Sequence, residues 1–173
     1  MDIHKADLWT VIWFGNLDDF LQKLNIESKS IEEVINTVDK DGISLLQRSL
    51  IARKFEIAKF LLGNDADVNV ISNENRNELH YLAANINYPG AIDIAYQLVE
   101  LGVDLNLKHK KYANSALFTL CQDVLTKRTK EGNQFIVKCI EMKPDISGRN
   151  KVGYSLKELI EERGTNEMKK AIS

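Results

Sequence analysis

The stretch LLGNDADVN (Leu61–Asn69) returns as LVELGVDLN (Leu98–Asn106) and, more loosely, as CIEMKPDIS (Cys139–Ser147). Ahead of each stands a second shared block: GISLLQRSL from Gly42, RNELHYLAA from Arg76 and NSALFTLCQ from Asn114. The same order of signals recurs in GYSLKELIEERGTNEMKKAI, from Gly153 to Ile172. Self-similarity at a period of roughly 33 residues marks a repeat architecture, because each short unit is a supersecondary element unable to enclose its own apolar face. Stacking must supply the core, and the outermost faces must be polar.

Each unit reads as helix, turn, antiparallel helix and an extended finger. In Ser44–Ala52 the apolar Leu45, Leu46, Leu50 and Ile51 fall at helical spacing, with Ser44 placed as N-cap. The following FEIAKFLL carries Glu56 at its start, where a helix dipole favours negative charge, and offers Ile57, Phe60 and Leu61 to a neighbouring unit. The final KELIEERGTNEMKK is charged, as a terminal unit requires.

These blocks resemble ankyrin repeats, whose pattern is Gly-x-Thr-Pro-Leu-His-x-Ala-Ala, a turn, an outer helix ending Leu-Leu, then Gly-Ala-Asp-Val-Asn. Residues 42–69 follow it without a gap through Gly42, Ser44, Leu46, Glu56, Ile57, Lys59, Leu61, Leu62, Ala66, Asp67, Val68 and Asn69. The next unit matches at Leu79, His80, Ala83, Gly90, Ile94, Leu98, Gly102, Asp104 and Asn106, and the fourth thins to Ser115, Leu117, Ile140, Asp145 and Ile146. The first unit, Leu8 to Leu24 with its turn at Gly15–Asn16, and the last are degenerate, as caps are. The resemblance implies an all-α ankyrin repeat solenoid of about five helix-turn-helix units with short β-hairpin-like fingers. Its units are expected at 1–36, 37–69, 70–106, 107–147 and 148–173 of one domain spanning 1–173.

Within the repeated joint, Asp65, Asp67 and Asn69 alternate as at the start of a calcium loop. Such a loop needs Gly at its sixth position and a bidentate Glu at its twelfth. Counted from Asp65, those places hold Val70 and Arg76, and a cation at the twelfth would repel calcium. The stretch is instead a helix exit. Gly102 and Asp65 fill a left-handed position, Lys143 departs from the pattern ahead of Pro144, and Asp67, Asp104 and Asp145 cap local backbone N–H groups.

The chain is 44% apolar and 28% charged, with a net charge of −2, the balance of a soluble globular protein. Residues 1–87 hold 9 Lys/Arg against 14 Asp/Glu and the rest 14 against 11, an acidic front and a basic back. No signal-peptide pattern or membrane-length apolar run occurs, and Cys121 and Cys139, both at core positions, are too few for a disulfide framework, so a reducing, cytoplasmic setting is expected. His4, His80 and His109 lie apart, with no metal-ligand spacing, and no Walker or Rossmann glycine loop occurs. The expectation is a non-enzymatic chain without metal or cofactor. The basic runs KHKKYANS (Lys108–Ser115) and TKRTKEG (Thr126–Gly132) fit a solvated finger and loop better than nucleic-acid contacts.

The resemblance implies that fingers and inner helices bind a protein partner. The fingers are expected to expose Lys40, Asp41 and Ile43, then Asn73, Glu74 and Arg76, then His109, Lys111, Tyr112 and Asn114, then Arg149, Lys151 and Tyr154. With Lys108, the residues Lys111, Tyr112, Arg149, Lys151 and Tyr154 make a basic, aromatic patch that calls for an acidic region on the partner. Insertions in ANINYPG (Ala84–Gly90) and QDVLTKRTKEG (Gln122–Gly132) lengthen one rim between inner and outer helices, and Trp13 and Phe14 are expected to cover the end of the core. A small stand-alone chain of this kind also looks like bacterial immunity proteins that neutralise a toxin by occluding it; Asn, Lys and Ile are abundant, as in AT-rich coding genomes. A regulatory or host-directed adaptor is the alternative. The register makes one expectation about packing: Leu46→Ala should lower stability by about 2–5 kcal/mol in urea titration, the range for a buried leucine.

Overall fold

The computed structural model describes residues 1–173, and it is helical throughout, without β-strands. Its helices fall into five antiparallel hairpins. The first joins α1 (Leu8–Phe14) to α2 (Leu17–Ile26) and is followed by a single turn, α3 (Ile31–Val34). Then come α4 (Leu45–Ile51) with α5 (Phe55–Gly63), α6 (Glu78–Ala83) with α7 (Ala91–Glu100), α8 (Ala116–Lys127) with α9 (Lys130–Glu141), and α10 (Leu156–Arg163) with α11 (Asn166–Ala171). The leading helices pack in the order α1, α4, α6, α8, α10 and the returning helices in the order α2, α5, α7, α9, α11. Two rows of helices therefore enclose one continuous apolar core running from Leu8 to Met168. Leu46, Leu50, Leu79, Leu82, Leu117 and Leu120 are buried along the leading row, and Ile57, Leu61, Ile94, Leu98, Phe135 and Ile136 along the returning one. Edge-to-face ring pairs join neighbouring returning helices, Phe20 with Phe60 at 6.3 Å and Tyr96 with Phe135 at 5.0 Å. No helix is long and apolar enough to cross a membrane.

The hairpins begin where a short polar side chain can take up an orphan backbone N–H. Ser44, Asn77, Ser115 and Ser155 occupy the same place in successive units and accept from the N–H groups of Gln47, His80, Phe118 and Glu158. They end through a left-handed residue. Ser28, Asp65, Gly102 and Lys143 have φ of 53°, 62°, 86° and 58°. In the first three, the next N–H reaches back to close the turn: Lys29 to Leu24 at 3.0 Å, Ala66 to Leu61 at 3.1 Å and Val103 to Leu98 at 3.1 Å. Pro144 has no N–H to give, and that exit is closed by Lys143 N–H on the Ile140 carbonyl at 2.9 Å. Lys143 thus keeps the conformation despite its β-carbon. Asp67, Asp104 and Asp145 accept from the N–H two residues on, at 2.7, 2.8 and 3.1 Å.

Three features differ from the sequence expectation. Helix α3 is additional, nucleated by a Ser30–Glu33 capping box and anchored by buried Val34 and Ile35. The insertion at 122–132 is not a loop: α8 continues to Lys127 and α9 starts at Lys130, because Val124 and Leu125 extend the buried face of Leu117, Leu120 and Cys121. Trp13 and Phe14 do not cover the core. Leu8, Val11 and Ile12 turn inward on α1, which leaves Trp13 42% and Phe14 70% exposed.

Two titratable groups lie within the stack. Glu78 is fully buried; its Oε1 accepts from Gln47, at 3.0 Å, and its Oε2 has no partner. Burial pushes its pKa up to about 8, helped by the charge of Asp67 and opposed by the bonds from its own N–H and from Gln47. Burial pushes His80 down to about 4, opposed by its bond to the Asn114 carbonyl. Glu78 holds its proton more tightly folded than unfolded, so its contribution is full below the ordinary 4.5 and is lost as pH rises through about 8. His80 contributes fully above the ordinary 6.5, and that contribution is lost as pH falls through about 4. The two slopes oppose each other between 4.5 and 6.5, which leaves a decline from 6.5 to 8 due to Glu78. Urea titrations from about pH 6 to about pH 9 should show that decline in the wild type and its absence in Glu78→Gln.

Candidate functional site

The fingers carry the residues singled out from sequence. Each is a tight reversal between a backbone N–H and a carbonyl a few residues on: Asp39 to Ile43 at 3.0 Å, Ser72 to Arg76 at 3.0 Å, His109 to Asn114 at 3.2 Å and Asn150 to Tyr154 at 3.0 Å. Their tips turn through a left-handed residue at Gly42, Asn75, Ala113 and Gly153. At Gly42 a β-carbon would stand 3.0 Å from the Asn73 side chain and 3.1 Å from its backbone nitrogen, so glycine is also needed for the approach of the next finger. No strands form; three fingers show single antiparallel bridges, Val38 with Ser44, Lys108 with Ser115 and Arg149 with Ser155.

Successive tips are tied by backbone. Asn73 N–H donates to the Asp41 carbonyl, Lys110 N–H to Glu74 and Lys151 N–H to Tyr112, each at 2.9 Å. Side chains double the ties: Asn73 Nδ2 donates to the Lys40 carbonyl at 3.1 Å, Asn75 Nδ2 to Lys108 at 2.8 Å, and Asn150 Nδ2 to Asn114 Oδ1 at 2.7 Å. The result is a continuous crest along the stack.

On this crest Lys40, Asp41, Asn73, Glu74, Lys111, Tyr112, Arg149 and Lys151 are exposed, whereas Ile43, Arg76, Lys108, Asn114 and Tyr154 are half-buried. Several have structural duties. The Ile43 carbonyl accepts the Trp9 indole N–H at 3.3 Å, the Lys108 ammonium donates to the Arg149 carbonyl at 3.0 Å, and the Lys151 ammonium donates to the Lys110 carbonyl. Arg149 pairs with Glu158 at 2.8 Å, and Arg76 lies over the Tyr81 ring at 5.9 Å. Tyr154 donates its hydroxyl to Glu162 at 2.7 Å. The basic patch is therefore narrower than its composition implied.

His109 departs from the expectation outright. It is 5% exposed, edge-on to His80 at 5.4 Å and to Tyr112 at 6.1 Å. Burial, then the cations Arg76 and Lys151, hold its pKa below the ordinary value. It is a buttress beneath the crest and presents nothing to a partner.

Two residues that the sequence reading passed over belong to the surface. Lys110 is exposed beside Lys111, because the third finger, which His109 and Asn114 close, reverses one residue later than the others. Val152, 77% exposed, occupies the place of Tyr112 in the next finger; the signal was its position before Gly153, as Tyr112 precedes Ala113 and Asp41 precedes Gly42. Tyr112, Phe118, Val152 and Tyr154, with Glu162 and Arg163, border a groove of about 520 Å³. At the opposite end Trp9, Trp13, Phe14 and Val38, with Asp7, Asp41 and Arg48, border one of about 500 Å³. Both are open clefts with apolar rims and mixed charge.

Comparison with models of known families and with curated proteins gave no match for this sequence. The different duties of adjacent crest residues lead to a contrast in stability. His109→Ala should lower stability by about 1–3 kcal/mol, as loss of a packed, buried side chain does, whereas Lys111→Glu should stay within about 0.5 kcal/mol. Paired urea titrations measure both.

Proposed function

We propose that the chain is a five-unit ankyrin solenoid serving as a non-enzymatic protein-binding module, with the crest and leading helices as its binding face. The supporting observation is the finger-to-finger ladder, Asp41 with Asn73, Glu74 with Lys110 and Tyr112 with Lys151. A loop held by backbone bonds to both neighbours has little conformational freedom left to lose, so ordering it on association costs little. Lys110, Lys111 and Tyr112 lead the contact, because the ammonium groups of Lys108 and Lys151 are engaged with neighbouring carbonyls. Lys111 lies over the Tyr112 ring at 4.9 Å, which keeps cation and ring together as one recognition element. An acidic region on the partner complements it, with apolar side chains entering the groove between Tyr112 and Val152.

The most concrete form of this reading is a bacterial immunity protein that neutralises a toxin by covering its working surface. A cytosolic setting fits the two free cysteines, Cys121 and Cys139, which are buried in the apolar core with thiol pKa values pushed up to about 12.

Co-expression with the products of adjacent genes tests the proposal. A captured partner whose toxicity is silenced is expected, with an association rate that falls as salt rises. Lys111→Glu combined with Tyr112→Ala should weaken that binding about tenfold or more while changing stability by no more than about 0.5–1 kcal/mol. Adjacent products neither captured nor silenced would remove the immunity reading, and undiminished binding by the double variant would remove the crest as the site.

A further inference from the structure

The crest differs in charge from one end to the other. On the first two fingers the exposed charged groups are Lys40, Asp41 and Glu74, one cation against two carboxylates. On the last two they are Lys110, Lys111, Arg149 and Lys151, with no carboxylate among them. Of these groups only Arg149 has an ionic partner within the chain, Glu158 at 2.8 Å. The division follows the sequence, acidic over residues 1–87 and basic beyond.

Apolar exposure has the same layout. Val152 and Phe14 are the most exposed large apolar side chains of the molecule, and they stand at opposite ends of the crest. Phe14 borders the groove of Trp9, Trp13 and Val38 beside the first finger, and Val152, at the tip of the fourth, borders the groove of Tyr112, Phe118 and Tyr154. Around the first groove Asp39 neutralises Arg48 at 2.6 Å, which leaves Asp7 and Asp41 against Lys40; around the second, Glu162 and Arg163 offset each other. An acidic, apolar cleft at one end of a row and a basic, apolar tip at the other are the two halves of a complementary contact.

We propose that the crest is a self-association surface, on which two copies of this chain pair antiparallel about a two-fold axis between the second and third fingers. A parallel arrangement sets like charge on like. The two-fold instead places the first finger against the fourth of the second copy and the second finger against its third, and every contact occurs twice. Glu74 then meets Lys110 and Lys111, Asp41 meets Lys151, and Val152 enters the cleft of Trp13, Phe14 and Val38. The backbone ladder holds all four fingers in one row, so the two rows meet with little ordering left to do. The pairing does not rest on the function assigned to the crest: an acidic partner competes with the second copy for Lys110 and Lys111, whereas self-association is measured on the chain alone.

Sedimentation velocity of the full chain, from micromolar to sub-millimolar concentration, tests the pairing. The wild type should pass from monomer to dimer without larger species, and added salt should shift the equilibrium back. Glu74→Lys, Lys111→Glu and Val152→Asp each alter both symmetric contacts. Each should raise the dimer Kd about tenfold or more and, as an exposed change, leave the melting temperature in place. An equal mixture of the Glu74→Lys and Lys111→Glu chains should recover the dimer, because the two reversed charges then face each other and the two native ones do the same. That recovery also shows both variants to be folded. A chain that stays monomeric throughout, growth past the dimer as a head-to-tail contact would give, single variants that associate as the wild type does, or a mixture no more associated than its components would each overturn the proposal.

Discussion

No hairpin in this chain can hide its own apolar face, and every other property of the molecule follows from that. Helix α4 is covered by α1 on one side and α6 on the other, and α5 by α2 and α7. The same cover is handed along to α10 and α11, where it runs out and charged Lys157, Glu161 and Glu162 face water. Stability is then close to a sum over neighbouring interfaces, so a change inside one hairpin is felt mainly by the two beside it. It also explains why the joints between hairpins are so uniform. A helix that must return to the same apolar layer at every step has one workable exit, through a left-handed residue and an aspartate that collects the loose N–H groups.

That uniformity is what made the fold legible from residues alone. Caps such as Ser44, exits such as Gly102 and the spacing of Leu45, Leu46 and Leu50 are local signals, each complete within a few positions. Where expectation failed, the deciding contact was distant or the repeat frame misled. His109 sits in a finger and reads as solvent-facing; His80, Arg76 and Tyr112 close over it only once adjacent fingers are tied. The length of α8 was obscured by counting from the repeat, although Leu117, Leu120, Cys121, Val124 and Leu125 keep a helical period through it. Trp13 and Phe14 fail for a simpler reason: Leu8, Val11 and Ile12 already use the inward side of a two-turn helix. Large apolar character alone does not decide burial; phase around the helix does.

The polar interior has a consequence for the surface. Glu78 and His80 are both held in their uncharged forms near neutral pH, one by an upward and the other by a downward shift from the same cause, burial. The base of the third hairpin therefore contributes no net charge beneath the fingers. The field over the crest is set by groups at its surface, among which Lys110 and Lys111 stand forward because the third finger is one residue longer. A narrow positive feature thus stands on a nearly neutral base.

The hairpin turns lie at the ends of the leading helices opposite the crest, and they are tied across the stack as the fingers are. In the turn Ala84–Gly90, Ile86 is buried in the core, Asn85 donates to the Leu50 and Ile51 carbonyls of the hairpin before it, and Asn87 donates to the Asp123 carbonyl of the hairpin after it. A basic residue there has a structural attraction of its own, since a helix C-terminus favours positive charge by about 0.3–1 kcal/mol. That attraction accounts for one cation at the end of α4 and one at the end of α8. Arg53 and Lys127 each also meet the Tyr88 ring, at 4.6 and 5.5 Å, an attractive contact that gives both cations a partner without a carboxylate.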